Sequence, residues 1–144
     1  NLKQLVMSTI NENKRLFITN RVFPEVKIAE ELVVMSDSKW LKFVLTQFIT
    51  NAVKYTFEDN KKIFIEAIQH EENVELRVKD EGIGIPKSDL SRVTKPFFTG
   101  ENGRKTGEST GMGLYIAQEI CTKLGHELSI ESETNVGTTI KIIF

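Results

Sequence analysis

"KWLKFVLTQFITNAVKY", residues 39–55, is the stretch on which the fold turns. At about 100° per residue Leu41, Val44, Leu45, Phe48 and Ala52 share one face and Ile49 and Val53 widen it, which predicts a core helix from about Lys39 to Tyr55. Ser36 or Asp37 stands where an N-cap belongs. The anomaly is Asn51. A mid-helix Asn costs roughly 0.5–0.7 kcal/mol against Ala, and a buried amide without partners adds about 1–3 kcal/mol. Gln47, Asn51 and Lys54, at i, i+4 and i+7, form a polar ridge beside the apolar stripe. Mg²⁺ keeps several waters and needs few protein oxygens when it also holds phosphates, so one side-chain carbonyl from Asn51 is enough for a ligand. Lys54 then meets phosphate charge. An amide resting at the margin of the core is the plain alternative.

Outward from this helix, residues 2–19 carry Leu2, Leu5, Val6, Ile10, Leu16 and Phe17 at helical spacing, interrupted by "NENK". Residues 22–29 and 31–35 read as two short strands. "KKIFIEAIQH" and "NVELRVKD" alternate apolar and polar residues around "EEN", the grammar of an antiparallel hairpin. A third helix is predicted from Gly113 through Leu114, Ala117, Cys121 and Leu124, stopping at Gly125. "HELSIES" and "GTTIKIIF" form a second hairpin. The sum is an α+β two-layer sandwich, a mixed, mostly antiparallel sheet with helices on one face, in a single domain over residues 1–144.

Lys plus Arg (19) nearly balances Asp plus Glu (20), so charge gives no argument for nucleic acid. The single cysteine, Cys121, forms no internal disulfide, and the two histidines lie 56 positions apart, so no zinc-type cluster is read. No apolar run reaches the roughly 18 residues of a membrane span. The sequence opens without methionine, inside a helix-like segment, and reads as a piece of something longer.

Seven of the nine glycines fall between residues 80 and 113, too many for an idle connection. Within that stretch, "DEGIGIP" (80–86) follows a strand. A carboxylate at Asp80 can accept the exocyclic amine of adenine, while Gly82 and Gly84 let backbone approach the ring. Guanine presents a carbonyl there and leaves the carboxylate unpaired, so adenine is preferred. Gly111 and Gly113 of "GESTGMGL" (107–114) open the third helix, whose first amides and dipole suit a triphosphate. "TGENGRKTGEST" has the composition of a lid from which Arg104 and Lys105 can reach phosphates. Taken singly, each stretch also fits a plain role: polar loop, flexible helix entry, or, for "VGTTIKI" (136–142), a hairpin turn at Gly137. No Walker loop or protein-kinase triplet is present.

In this order the stretches, with "KPFFTG" (95–100), resemble the asparagine, glycine and phenylalanine boxes of the histidine-kinase ATP-binding domain, whose fold is shared with gyrase, Hsp90 and mismatch-repair ATPases. The resemblance covers roughly residues 31–144. Within the family, "NGRKTGESTGMGLYIA" and the 39–55 helix most resemble the membrane-anchored, intramembrane-sensing kinases of Gram-positive bacteria that respond to antimicrobial peptides.

That resemblance implies a sheet facing three helices (the N-terminal one over 1–20) and an ATP lid at 94–110. It implies that Asn51 holds Mg²⁺, Lys54 and Tyr55 line the phosphate and ribose side, and Asp80 binds adenine. Gly82, Gly84 and Ile85 shape the adenine pocket. Gly111, Met112, Gly113 and Leu114 border the phosphates, Thr138 supports Asp80 through water, and Phe97 and Phe98 anchor the lid. Gln47 stands where hydrolytic relatives carry Glu; an amide is no base for water, which favours transfer of the γ-phosphoryl group to a protein histidine over a hydrolytic ATPase or chaperone activity, or a degenerate nucleotide-sensing role. Neither His70 nor His126 sits in the acidic helix of a phosphoacceptor, and both read as surface residues. The implied partners are the protein's own dimerisation helices, carrying the acceptor outside this chain, and a response regulator. The chain alone is expected to be a cytoplasmic monomer, the whole protein a homodimer.

Overall fold

The computed structural model describes residues 1–54, 56, 61–82, 113–133 and 136–144. Expectations placed on Tyr55, Gly84, Ile85, the 94–110 lid with Phe97, Phe98, Arg104 and Lys105, and on Gly111 and Met112 lie outside the described residues. In chain order the described elements are α1 (Leu2–Glu12), α2 (Lys14–Asn20), β1 (Phe23–Lys27), α3 (Ser38–Lys54), β2 (Lys62–Gln69), β3 (Val74–Asp80), α4 (Gly113–Leu124), β4 (Glu127–Glu133) and β5 (Gly137–Ile143).

The strands form one sheet in the order β1-β2-β3-β5-β4, antiparallel except for the parallel pair β1 and β2. A parallel pair needs a long crossover, and α3 supplies it. β3 and β4 also run the same way, with β5 between them, and α4 lies in their connection. Both helices therefore run against the strands they join, and because β2 and β3 are antiparallel, α3 and α4 run antiparallel to each other. The sheet presents Ile63, Ile65, Leu76, Val78, Ile140 and Ile142 to the helices, where they meet Leu41, Val44, Leu45, Phe48 and Ile49 of α3. Each such side chain contributes about 1.5–3 kcal/mol on full burial. The buried residues of α4 are small: Ala117 and Cys121 are fully covered.

Three expectations need correction. The N-terminal helix is broken at Asn13, whose φ of −106° and ψ of 17° leave the helical region while its side chain bonds back to the Thr9 carbonyl at 2.8 Å; asparagine competes for backbone in this way. Four helices, not three, thus stand among the described residues. Residues 31–35 form no strand. Their one buried side chain, Leu32, enters the core, and its carbonyl accepts from the Leu2 amide at 3.1 Å, so the segment satisfies α1 rather than a sheet edge. Last, His126 is not a surface residue: it is buried, its Nε2 lies 2.8 Å from Ser36 Oγ and its ring meets Phe144 edge-on at 4.7 Å. His70 is exposed beside the first hairpin, as expected. Asp37, of the two candidate caps, accepts from the Trp40 amide at 3.0 Å, and Gly125 stops α4 at a φ of +79°.

Candidate nucleotide site at one end of the sandwich

The crossover geometry carries three chain ends to the same edge of the molecule: the last turn of α3, the last residue of β3 and the first residue of α4. Asp80 closes β3 on the helix-facing side, in line with Leu76 and Val78, and is only 6% exposed. Its Oδ1 accepts two backbone amides, from Gly82 at 2.9 Å and from Thr138 at 3.2 Å. Oδ2 receives no donor among the described residues. Burial pushes the carboxyl up to about 6, outweighing the two amides that pull it down. Leaving water costs a carboxylate more than two hydrogen bonds return.

Support for this carboxylate comes from β5. The Thr138 amide, rather than a route through water, contacts Asp80; the Thr138 hydroxyl lies 2.8 Å from Ser132 Oγ on β4. Ser132 also donates to the Gly137 carbonyl at 3.0 Å. Gly137 has a φ of +144°, and a Cβ placed on it would sit 2.1 Å from the Asp80 carbonyl oxygen. The β5 backbone can approach the Asp80 peptide only because this residue is glycine. Sequence reasoning missed Gly137 and Ser132 as parts of the site; the available signal was a glycine directly before the threonine of "VGTTIKI". We expect Gly137→Ala to lower stability by about 1–3 kcal/mol for the backbone conformation alone, more with the clash, read as a lower urea midpoint at unchanged m-value.

On the helix side, Gln47 and Asn51 are half-buried on α3. A Cβ on Gly113 would lie 2.7 Å from Gln47 Oε1, so α4 begins directly against the polar ridge predicted on α3. Asn51 makes no side-chain hydrogen bond among the described residues. Lys54 ends α3 on the same stripe, and Leu114 packs against the core behind the helix start. The α3 terminus is closed by Thr56, whose hydroxyl bonds the Ala52 carbonyl at 2.7 Å. Gln47, Asn51 and Lys54 thus share one face beside Gly113, with Asp80, Gly82 and Thr138 forming a second cluster at the same end of the sheet. Among the described residues there is no group of three His, Cys, Asp or Glu fit to hold a metal alone. Any cation here would rely on an amide oxygen and on ligand or water oxygens, a set that suits Mg²⁺.

The fold is thus a two-layer sandwich with a buried acid closing β3 and amides on α3 beside the start of α4. Residues 36–144 match the family of histidine kinase-, DNA gyrase B-, and HSP90-like ATPases, and the chain belongs to this ATP-binding family. It is 41% identical over 143 residues to the sensor histidine kinase YxdK of Bacillus subtilis, covering 99% of this chain and 44% of the relative. To the sensor histidine kinase GraS of Staphylococcus epidermidis it is 34% identical, covering 99% and 41%. The chain thus spans less than half the length of these relatives. Among solved structures, the nucleotide-free catalytic domain of histidine kinase ThkA superposes with a TM-score of 0.86 at 25% identity, covering 100% of this chain and 91% of that one. No helix of the described residues is long and apolar enough to cross a membrane.

Proposed function

We propose that this chain is the ATP-binding, phosphoryl-donating domain of a two-component sensor histidine kinase. The observation that carries the reading is the meeting at one end of the fold of the buried Asp80 carboxylate, the Gln47–Asn51 ridge and the Gly113 helix start. Asp80 Oδ2 accepts the adenine amine while Gly82 and Thr138 hold Oδ1. The α4 start, with Gly111 and Met112 before it, borders the phosphates, and Lys54 and Tyr55 line their other side. Asn51 would hold Mg²⁺ beside them, and when bound that ion neutralises phosphate charge. An imidazole nitrogen of the acceptor attacks the γ-phosphorus, the bond to the β–γ bridging oxygen breaks and ADP leaves. Gln47, an amide, does not activate water for the competing reaction.

The acceptor lies on dimerisation helices outside this chain, and a response regulator takes the group onward. The whole protein is a membrane-anchored homodimer with this domain in the cytoplasm, in the peptide-antibiotic-responsive subtype. Supplying those helices as a separate fragment with γ-labelled ATP tests the assignment: label on histidine is expected, whereas free phosphate alone, or no turnover, would replace it with a hydrolytic or a sensing role.

The raised Asp80 carboxyl has two consequences of known sign. Between the ordinary value of 3.8 and about 6 the folded chain holds a proton that the unfolded chain has lost, so stability falls as pH rises through that window and is level above it. Adenine needs the ionised form as acceptor. Affinity for adenosine, which has no phosphate to titrate, is therefore expected to be level above about pH 6 and to fall up to tenfold per unit below it. Calorimetric titration across that range checks this; a flat profile would remove Asp80 from the adenine contact.

A further inference from the structure

The helix-facing side of the sheet changes character in the row nearest the Asp80 edge. Across β2, β3, β5 and β4 the register aligns Ile65, Val78, Ile140 and Ile130, all apolar. The next inward row aligns Ile63 with Asp80 and Thr138 with Ser132, and the Thr138 amide joins the two pairs at Asp80 Oδ1. The apolar row thus gives way to an acid and two hydroxyls. The protons in this row can be counted. A hydroxyl has one proton to give and two lone pairs with which to accept. Ser132 gives its proton to the Gly137 carbonyl at 3.0 Å, because a carbonyl only accepts. The 2.8 Å contact between Ser132 Oγ and Thr138 Oγ1 therefore takes its proton from Thr138. With that proton committed to β4, the Thr138 oxygen is an acceptor only toward the Asp80 end. Ionised Asp80 is an acceptor as well.

We propose that Ser132 is a positioning residue that sets base specificity: by orienting the Thr138 hydroxyl it makes the row end in two acceptors, matched to the two N–H bonds of one exocyclic amine. The proposal rests on the adenine reading of Asp80 and deepens it, since Asp80 Oδ2 uses one of those N–H bonds. The second goes to Thr138 Oγ1, directly or through one water. A base with a carbonyl at that position meets lone pairs on both sides, and the hydroxyl that would turn to donate to it is held by Ser132. Unpaired polar groups are the source of selectivity in hydrogen-bonding pockets. Ser132 acts through Thr138, from an edge strand, and not by touching the base.

The test compares calorimetric Kd values at neutral pH for ATP and for inosine triphosphate, which carries a carbonyl in place of the amine, on the full chain. Ser132→Ala releases the Thr138 proton. It is expected to raise the Kd for ATP about two- to tenfold, the range of one net hydrogen bond, and to narrow the preference for ATP over the inosine nucleotide at least fivefold. Ser132→Thr keeps the hydroxyl and is expected to hold that preference within twofold of wild type. Thr138→Val removes the hydroxyl and keeps the amide on Asp80. The preference is expected to narrow here too, and adding Ser132→Ala in this background should change it less than twofold further. Mere loosening of the hairpin, by loss of the Gly137 contact, raises both Kd values together. An unchanged preference in Ser132→Ala therefore overturns the proposal while leaving Asp80 and the kinase reading standing. Should Ser132→Ala fail to fold, Thr138→Val decides, because an unchanged preference there means that the hydroxyl does not face the base. A wild-type chain that binds both nucleotides equally removes the adenine contact of Asp80, and the proposal with it.

Discussion

Asp80→Asn is expected to weaken ATP binding at least a hundredfold and, in the empty domain, to raise the melting temperature. The opposite signs follow from one geometry. Both backbone amides fall on Oδ1, so the substituted side chain must keep its carbonyl oxygen there and turn its NH₂ to where Oδ2 stood. An NH₂ facing the adenine amine sets donor against donor: a charge-assisted bond of about 1.5–3 kcal/mol is lost and a buried donor is left unmade at about 1–3 kcal/mol more. Together these come to about 2.5–6 kcal/mol, a range that starts near the roughly 2.7 kcal/mol a hundredfold represents. In the empty domain, meanwhile, the substitution removes a buried charge whose raised carboxyl, up to about 6, marks a cost on the order of 3 kcal/mol at neutral pH. Guanine, with a carbonyl at the same position, can accept from the new NH₂, so preference for ATP over GTP should narrow or invert. Titration of both nucleotides and a melting curve on the same sample decide it. Wild-type affinity in the variant would place adenine elsewhere, and a lowered melting temperature would give Asp80 a structural role first.

How much of this was legible in the residues depended on how local each determinant is. The α3 stripe, the two hairpins and the α4 stop at Gly125 are written in periodicity and in one cap each, and the structure has them within a residue or two. Residues 31–35 looked like a strand because "ELVVM" is apolar. A strand also needs an edge to pair with, and the free partner here was the α1 N-terminus, which no periodicity reveals. His126 looked exposed because it follows a helix cap; its burial depends on Ser36, 90 positions away. At the site, Asp80 stood out as an acid before two glycines, whereas Gly137 read as no more than a hairpin turn residue, since what demands it is the Asp80 backbone of β3 pressed against β5. Apart from the break at Asn13, whose cause is local, the positions that escaped are those whose reason lies in a neighbour distant in sequence.

Asn51→Ala is expected to reduce phosphoryl transfer at least a hundredfold while leaving metal-free nucleotide binding within about twofold, since a transition-state contact is removed and a ground-state one is not. The helix itself should gain: alanine in place of a mid-helix asparagine is worth roughly 0.5–0.7 kcal/mol, and the Asn51 amide makes no hydrogen bond among the described residues whose loss would offset that. A residue that weakens its own helix and joins no network among the described residues calls for a partner outside the fold, and a side-chain oxygen one turn from Gln47 is suited to a hard cation. The same logic ranks two further variants. Asn51→Asp keeps an oxygen at the position and should retain more transfer than Ala, whereas Asn51→Leu, the same size without the oxygen, should match Ala. Transfer measured across a Mg²⁺ titration, beside nucleotide binding in chelator, separates the roles. If Ala lowers binding equally with and without metal, Asn51 contacts the nucleotide itself, and if the Mg²⁺ curve is unmoved at full activity, the ion is held by other groups and the amide's helical cost again stands without a reason.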